Sequence, residues 1–219
     1  LRISILSRRE GVTLLLAVLF GVAATKILQL SPRAAKVVTR TPVIDAVLSD
    51  PGSPRAGASK PDVTIVVFTD YQCPICKATD PALEHLIAHD RRVQVIFKDW
   101  PILGAASRAA ARAALAADRQ GKYLAFHSAL MASRRKLDDD EIRRIAAVSG
   151  VDWKQIRDVE TSQTAELDRQ LRSQAMQAFS LGLQGTPAYL VGPYLIEGGL
   201  DERHLAQAVK RARASGPPV

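Results

Sequence analysis

The chain has 219 residues, of which 47% are apolar and 24% are charged. This length fits one domain of ordinary size with a targeting segment, and the apolar fraction excludes an intrinsically disordered chain. The net charge of +8 comes mostly from the N-terminal part, because residues 1–60 hold nine Lys or Arg against three Asp or Glu, whereas residues 61–219 hold 21 against 19. A nearly neutral body argues against nucleic acid as a partner.

An apolar stretch lies within the first 30 residues. Residues 11–25 carry no charge and have the length of a signal-peptide core, and with Lys26 the stretch reaches the ~20 residues that cross a bilayer. We predict that residues 1–30 are an N-terminal membrane anchor or a signal segment. The absence of a clean A-x-A cleavage site favours a retained transmembrane helix, and cleavage followed by secretion is the alternative.

Proline, glycine and serine are frequent in the next segment, residues 31–60, and large apolar side chains are few. This composition is typical of a linker, and we predict one here, with a short ordered piece at residues 43–48. One globular domain is then predicted over residues 61–219.

The domain begins with a strand, a helix and a second strand. Residues 63–68 and 93–97 are β-branched and aromatic runs of strand length, separated by apolar residues at helical spacing. Residues 104–181 are dense in Ala, Leu, Arg and Gln, which predicts several helices in succession. Two short strands from residue 188 onward and an amphipathic helix at 201–213 close the chain. The order of elements predicts an α/β fold with a helical insertion.

The two cysteines, Cys73 and Cys76, carry the clearest chemical signal. Cys73 follows a predicted buried strand, and Pro74 suits the first position of a helix, so Cys73 is predicted to lie at a helix N-terminus, where a thiolate is stabilised. Such a pair favours thiol–disulfide exchange. A purely structural disulfide would close too small a loop to restrict much chain entropy, and a zinc site normally needs more Cys or His ligands than lie nearby in sequence.

Three motifs resemble the DsbA-like branch of the thioredoxin superfamily, a group of extracytoplasmic thiol–disulfide oxidoreductases. They are FTDYQCPIC at residues 68–76, FKDWPILG at 97–104, and GTPA at 185–188 before a strand. The resemblance covers roughly residues 51–213. It implies a thioredoxin-like fold with an inserted helical subdomain, and a proline kink at Pro81 in the helix that carries the cysteines.

The resemblance also implies roles for four residues. Cys73 would be the exposed nucleophile that forms mixed disulfides, Cys76 the resolving thiol, and Pro187 a cis-proline that faces the pair. Thr186 would offer its backbone to an extended substrate segment. On sequence alone, an ordinary loop proline that opens a strand is the alternative for Pro187. The exchange chemistry needs no metal or organic cofactor.

This chain departs from the branch in two respects. Proline and isoleucine stand between the cysteines where the strongest oxidants have His, which predicts a milder oxidant. Many relatives bury an acid at the position of Val67, and Asp70 lies nearer the loop, so proton transfer to Cys76 is expected to rely on water. Asp99 is expected to be structural, and no partner can be assigned to His127.

We predict an extracytoplasmic, membrane-tethered thiol–disulfide oxidoreductase that acts as an oxidant on cysteine-containing substrate proteins through its CPIC site. Its redox partner would be a membrane protein, either a quinone-linked oxidase or an electron donor. A reductase or isomerase that uses the same site is the first alternative. The second alternative is a module that uses the CxxC to bind soft metal ions or as a chaperone surface, which the scarcity of Met makes weaker.

Overall fold

The structure is a computed structural model that describes residues 35–215. In this part of the chain, helices cover both faces of one six-stranded sheet. The strands are β1 (Lys36–Val37), β2 (Arg55–Gly57), β3 (Val63–Thr69), β4 (Val93–Asp99), β5 (Ala188–Val191) and β6 (Tyr194–Glu197). The helices are α1 (Pro42–Ser49), α2 (Pro74–His89), α3 (Ala105–Asp118), α4 (Tyr123–Ala132), α5 (Asp139–Val148), α6 (Trp153–Ser162), α7 (Thr164–Ser180) and α8 (Glu202–Ala214).

The sheet has the strand order β1-β6-β5-β3-β4-β2. β3 and β4 are parallel, with Val63 opposite Val93 and Thr69 opposite Asp99, and α2 makes the crossover between them. The other neighbouring strands pair antiparallel. Helices α3 to α7 follow β4 and precede β5, so the predicted α/β thioredoxin-like fold with an inserted helical subdomain is confirmed.

The central strand β3 is buried on both faces, as its unbroken apolar sequence predicts. Ile65 and Val67 point to one side, where they join the core formed with α2, α8 and the inserted helices. Val66 and Phe68 point to the other side, where α1 and the C-terminal part of α7 cover them. Because the side chains alternate, one strand supports both layers of helices.

The prediction of a linker at residues 31–60 differs from the structure in the described part of that segment. β1 pairs with β6, β2 pairs with β4, and α1, which includes the predicted ordered piece, packs on the sheet. Short strands at the two edges of a sheet tolerate the small and proline residues of this segment. Two apolar side chains of α1, Ile44 and Val47, are buried against the sheet and help to attach the helix.

The predicted anchor or signal segment, residues 1–30, lies outside the described residues. Within residues 35–215, no helix combines the length and the apolar character that a membrane span requires.

Candidate active site

The two cysteines lie where the central strand meets the helix that follows it. Cys73 is the N-cap residue of α2, and Pro74 occupies the first turn, where its missing N–H leaves no hydrogen bond unmade. The backbone N–H of Cys76 donates to Sγ of Cys73 over 3.3 Å. The sulfur of Cys73 therefore takes the place of a capping oxygen at the positive end of the helix.

The two thiols have opposite pKa shifts. The hydrogen bond from the Cys76 thiol, together with backbone N–H groups of Cys76 and Ile75, lowers the pKa of Cys73 from 9.0 to about 6, although burial opposes the shift. Burial, and then the adjacent Cys73 sulfur, raise the pKa of Cys76 well above its ordinary value. At neutral pH, Cys73 is thus mainly a thiolate and Cys76 a thiol, and the structure contains both as free cysteines.

The loop before β5 lies against the cysteines. The peptide bond between Thr186 and Pro187 is cis, which confirms the isomer expected at this proline. The carbonyl oxygen of Thr186 lies 3.4 Å from Sγ of Cys73, so a protonated Cys73 thiol donates a hydrogen bond to it. The structure therefore brings together the four predicted residues, two from α2 and its cap and two from this loop.

One expectation for these residues differs from the structure. Cys73 was expected to be exposed, yet only 5% of its surface is accessible, against 2% for Cys76. The loop at Thr186 covers its sulfur, and Cys73 is part of the core that underlies α2. The lowered pKa of Cys73 therefore rests on hydrogen bonding and not on exposure, whereas burial is the main cause of the raised pKa of Cys76.

Helix α2 is held against the last strands by close packing. It continues through Pro81 to His89 without a break. A Cβ atom added at Gly199 would lie 2.7 Å from Cγ2 of Thr79 and 2.9 Å from Cγ2 of Ile75, so only glycine allows this approach. The hydroxyl of Thr79 also lies 3.3 Å from that of Tyr189 on β5. These contacts fix the first two turns of α2, which carry both cysteines.

The acid nearest the cysteines in sequence has a structural task. Asp70 is buried, and its carboxylate accepts hydrogen bonds from the backbone of Gln72 at 2.7 Å, the backbone of Leu103 at 2.9 Å and the hydroxyl of Ser107 at 2.6 Å. It ties the loop before Cys73 to the loop after β4. Val67, at the position where relatives bury an acid, is an apolar core residue.

Sequence reasoning missed a chain of five buried polar side chains beneath this site, which we call the buried polar chain. Tyr123 donates to Asp99 at 2.9 Å, and the hydroxyls of Tyr123 and Tyr71 are 3.2 Å apart. The Tyr71 hydroxyl lies 2.9 Å from Nδ1 of His127, and Nε2 of His127 lies 3.0 Å from Asp80. The only sequence signal is a set of polar residues on otherwise apolar faces, since most of the partners lie far apart along the chain.

Metal ligands do not gather in this part of the molecule. Within residues 35–215, no three His, Cys, Asp or Glu side chains form a group that could hold a metal ion. His85 and His89 stack on each other on the exposed side of α2, and His85 pairs with Glu202 at 2.9 Å.

Residues 64–210 match the family model described as the DSBA-like thioredoxin domain. The chain is 38% identical to a thioredoxin-like oxidoreductase from Silicibacter pomeroyi DSS-3, with a TM-score of 0.73 over 78% of this chain and 97% of that one. A periplasmic thioredoxin-like protein from Salmonella enterica serovar Typhimurium is 35% identical, with a TM-score of 0.69 over 80% and 98%. The thiol-disulfide exchange protein alpha-DsbA2 from Wolbachia pipientis is 30% identical, with a TM-score of 0.72 over 76% and 90%.

Curated relatives are longer proteins. The Na(+)/H(+) antiporter NhaA 1 of Mycobacterium sp. (strain KMS) is 27% identical over 176 residues, which are 78% of this chain and 27% of that protein. The match thus spans about a quarter of the length of that antiporter.

Proposed function

Because this chain belongs to the DSBA-like thioredoxin domain family, we propose that it is a thiol–disulfide oxidoreductase that acts on cysteine-containing proteins through Cys73 and Cys76. The observation that carries the proposal is the placement of Sγ of Cys73 at the N-terminus of α2, where it accepts the N–H of Cys76 and where its pKa falls to about 6. A sulfur stabilised as a thiolate is a good leaving group and a reactive partner in exchange.

The proposed oxidising reaction has two steps. A substrate thiolate attacks the sulfur of Cys73 in the Cys73–Cys76 disulfide, so that a mixed disulfide forms and Cys76 leaves as a thiolate, which takes up a proton. A second substrate thiolate then attacks the substrate sulfur of the mixed disulfide, and Cys73 leaves as a thiolate. The substrate gains a disulfide, and two electrons pass to the cysteine pair.

The direction of exchange depends on how strongly the reduced form is stabilised. A pKa of about 6 for Cys73 lies between about 7 for thioredoxin and about 3.5 for DsbA. We therefore propose an oxidant that is milder than DsbA. The absence of His between the cysteines favours the second candidate, a reductase or isomerase with the same site, because no extra donor stabilises the thiolate.

The loop at Thr186 is the proposed binding place for substrate. Its carbonyl oxygen lies 3.4 Å from Sγ of Cys73, so a segment that extends along Thr186 and Pro187 would bring a substrate cysteine close to the sulfur of Cys73. In this proposal Thr186 binds the substrate backbone, Pro187 shapes the loop, and neither takes part in bond making.

We further propose that the protein acts outside the cytoplasm, tethered by residues 1–30, or secreted if these are cleaved. The similar Salmonella protein is described as periplasmic, which supports this location. Disulfides also persist mainly in oxidising compartments. A membrane redox partner would then restore the working state of the pair, by oxidation for an oxidant and by reduction for a reductase or isomerase.

The test is the reduction potential of the cysteine pair, measured against glutathione buffers, together with disulfide transfer to a reduced protein substrate. A potential between ~−120 and −180 mV with transfer supports the oxidant, and one near ~−270 mV supports the reductase. Cys73→Ser is expected to abolish transfer, and Cys76→Ser to accumulate mixed disulfides. Transfer that persists in Cys73→Ser would contradict the proposed site.

A further inference from the structure

The buried polar chain links the loop before Cys73 to the helix that carries Cys76. None of its five members, Asp80, His127, Tyr71, Tyr123 and Asp99, is more than 7% exposed. Four contacts join them in series, each between 2.9 and 3.2 Å. At this degree of burial the side chains are shielded from bulk solvent, so they form their hydrogen bonds mainly with one another.

With both carboxyl groups ionised and the imidazole neutral, the buried polar chain has one hydrogen too few to form all four of its hydrogen bonds. Four hydrogen bonds need four hydrogens. The two tyrosines supply one each, and a neutral imidazole supplies one. Without a fourth hydrogen, one contact sets two lone pairs against each other, which is unfavourable for buried polar groups.

We propose that the buried polar chain retains one extra proton at neutral pH, shared between Asp99 at one end and the His127–Asp80 pair at the other, and that this proton limits negative charge beneath Cys73. With the proton on Asp99, every hydrogen bond runs toward Asp80. With the proton on His127, the imidazolium donates to Asp80 from Nε2 and to Tyr71 from Nδ1, and the remaining hydrogen bonds run toward Asp99. With the proton on Asp80, every hydrogen bond runs toward Asp99. The five side chains together carry one negative charge in each arrangement. Moving the proton from one end to the other therefore changes neither the total charge nor the number of hydrogen bonds.

The surroundings of Asp99 support a proton there. Its Oδ2 atom is buried and, among the described residues, has no hydrogen-bond partner. Burial raises the pKa of Asp99 to about 6, although the charge of His127 and the hydrogen bonds from Tyr123 and Tyr71 oppose the shift, and Asp118 on α3 adds to it. This pKa alone leaves Asp99 mostly ionised at pH 7, so the retained proton rests on the hydrogen count and on the geometry of the contacts.

Two members of the buried polar chain lie close in sequence to the cysteines. Tyr71 lies two residues before Cys73, and Asp80 lies four residues after Cys76 on the same buried face of α2. Loss of the extra proton would leave two buried carboxylates and no compensating charge. A second negative charge nearby disfavours a thiolate, so the pKa of Cys73 would rise. This consequence rests on the proposed role of Cys73, whereas the hydrogen count does not.

Two single substitutions that each remove one hydroxyl separate this proposal from a merely structural role. In Tyr71→Phe, the chain splits into Tyr123 with Asp99 and His127 with Asp80, and each remaining contact has its own hydrogen, so the extra proton is no longer needed. In Tyr123→Phe, Asp99 loses its donor and stays protonated. The two variants are therefore expected to differ, although both lose the same group.

The experiment uses the full chain with ¹⁵N-labelled histidine at neutral pH. Infrared spectra report a protonated carboxyl group, assigned with Asp99→Asn, and ¹⁵N spectra report the protonation of His127, assigned with His127→Gln. Wild type is expected to show either a protonated Asp99 or a doubly protonated His127. Tyr71→Phe is expected to show neither a protonated carboxyl group nor a doubly protonated His127. Its midpoint of Cys73 thiolate absorbance is expected to rise by about half a pH unit, whereas that of Tyr123→Phe is expected to equal the wild-type midpoint.

Either of two results would overturn the proposal. The first is a wild-type protein with neither a protonated carboxyl group nor a doubly protonated His127. The second is an equal shift of the Cys73 midpoint in both phenylalanine variants. If Tyr71→Phe does not fold by circular dichroism, the wild-type and Asp99→Asn spectra still decide the count. An extra proton in a protein without exchange activity would contradict the proposed function and leave the proton count standing.

Discussion

At the scale of single residues, the reactivity of Cys73 depends first on its neighbour Cys76. The Cys76 thiol is the largest cause of the lowered Cys73 pKa, ahead of the backbone N–H groups. A thiolate that needs this donor should lose part of its stabilisation when the donor is removed. In the proposed function the side chain at position 76 thus has two tasks, since it is the proposed resolving thiol and it also stabilises the Cys73 thiolate.

The first prediction concerns alkylation of Cys73 as a function of pH. In the reduced protein the rate is expected to be half-maximal near pH 6, because the thiolate forms above that pKa. Cys76→Ser keeps a hydroxyl donor and is expected to retain this midpoint. Cys76→Ala removes the donor and is expected to raise the midpoint by about one pH unit. Identical midpoints in the two variants, measured with iodoacetamide, would show that the neighbour's hydrogen bond is unimportant.

The second prediction concerns the close approach of Gly199 to α2. In Gly199→Ala, the new methyl group would meet Thr79 and Ile75 at less than 3.0 Å, so α2 must shift. Overpacking of this kind costs ~1–3 kcal/mol of unfolding free energy. Urea unfolding measures the loss, and the Cys73 titration reports the shift of the helix.

Gly185→Ala is the matched control, because nothing lies within 4 Å of a Cβ atom added at Gly185. This variant is expected to unfold at the same urea concentration as wild type or slightly above it. Equal destabilisation by the two alanine substitutions would contradict the packing argument.

At the scale of elements, a buried ion pair as well as apolar contacts holds α1 and the turn that leads from α1 to β2. The side chain of Lys98 on β4 is fully buried, and its Nζ lies 2.8 Å from Oδ2 of Asp50, just after α1. Burial opposes ionisation of Asp50, but the hydrogen bond and the charge of Lys98 lower its pKa below 3.8. The pair therefore ties this segment to the sheet.

The third prediction follows from the unequal burial of the two partners. Asp50→Asn leaves a fully buried ammonium without its counter-charge and is expected to cost about 3 kcal/mol. Lys98→Met is expected to cost less, because Asp50 keeps hydrogen bonds from Gly52, Ser53 and Gln177. Chemical unfolding of both variants tests this order, and the reverse order would show that the lysine is not the vulnerable partner.

Acid titration and an exposed pair provide controls for this prediction. The folded pKa of Asp50 is depressed, so its contribution is complete above the ordinary value of 3.8 and is lost as the pH falls through the lower folded pKa. The difference in unfolding free energy between wild type and Asp50→Asn should shrink over that acidic range.

An exposed ion pair provides the second control. Arg40→Ala breaks a half-exposed pair with Asp45 and is expected to lower the unfolding free energy by less than about 1 kcal/mol.

These elements also show what a sequence can and cannot predict. β3, α2 and β4 follow from local pattern, because strand and helix periodicity and the capping position of Cys73 are written in consecutive residues. The segment at residues 36–57 carries a weak local signal, and its placement depends on Lys98, 48 residues beyond Asp50. The same applies to the buried polar chain, in which Tyr71 meets His127 across 56 residues.

At the scale of the whole molecule, the sheet separates two tasks. On one side, the cysteines, the buried polar chain and the inserted helices share one core. On the other side, α1 and the end of α7 cover Val66 and Phe68. Changes on the second side should therefore alter stability without altering the electrostatics of Cys73.

The last prediction compares two fragments, residues 35–219 and residues 61–219. The shorter one lacks α1, so Val66 and Phe68 lose the cover of Ile44 and Val47, and it lacks Asp50, so Lys98 keeps a buried charge without a partner. It also lacks β2, which leaves the edge of β4 unpaired and open to association. Its unfolding free energy is expected to be lower by at least about 3 kcal/mol in urea.

The Cys73 titration separates stability from function in the same two fragments. Because the removed elements lie on the face of the sheet opposite the cysteines or at its edges, the part of the shorter fragment that remains folded should titrate with the same midpoint near pH 6. Equal unfolding free energies of the two fragments would contradict this prediction and would mean that residues 35–60 act only as a linker. A shifted midpoint would instead mean that the two faces of the sheet are coupled through β3.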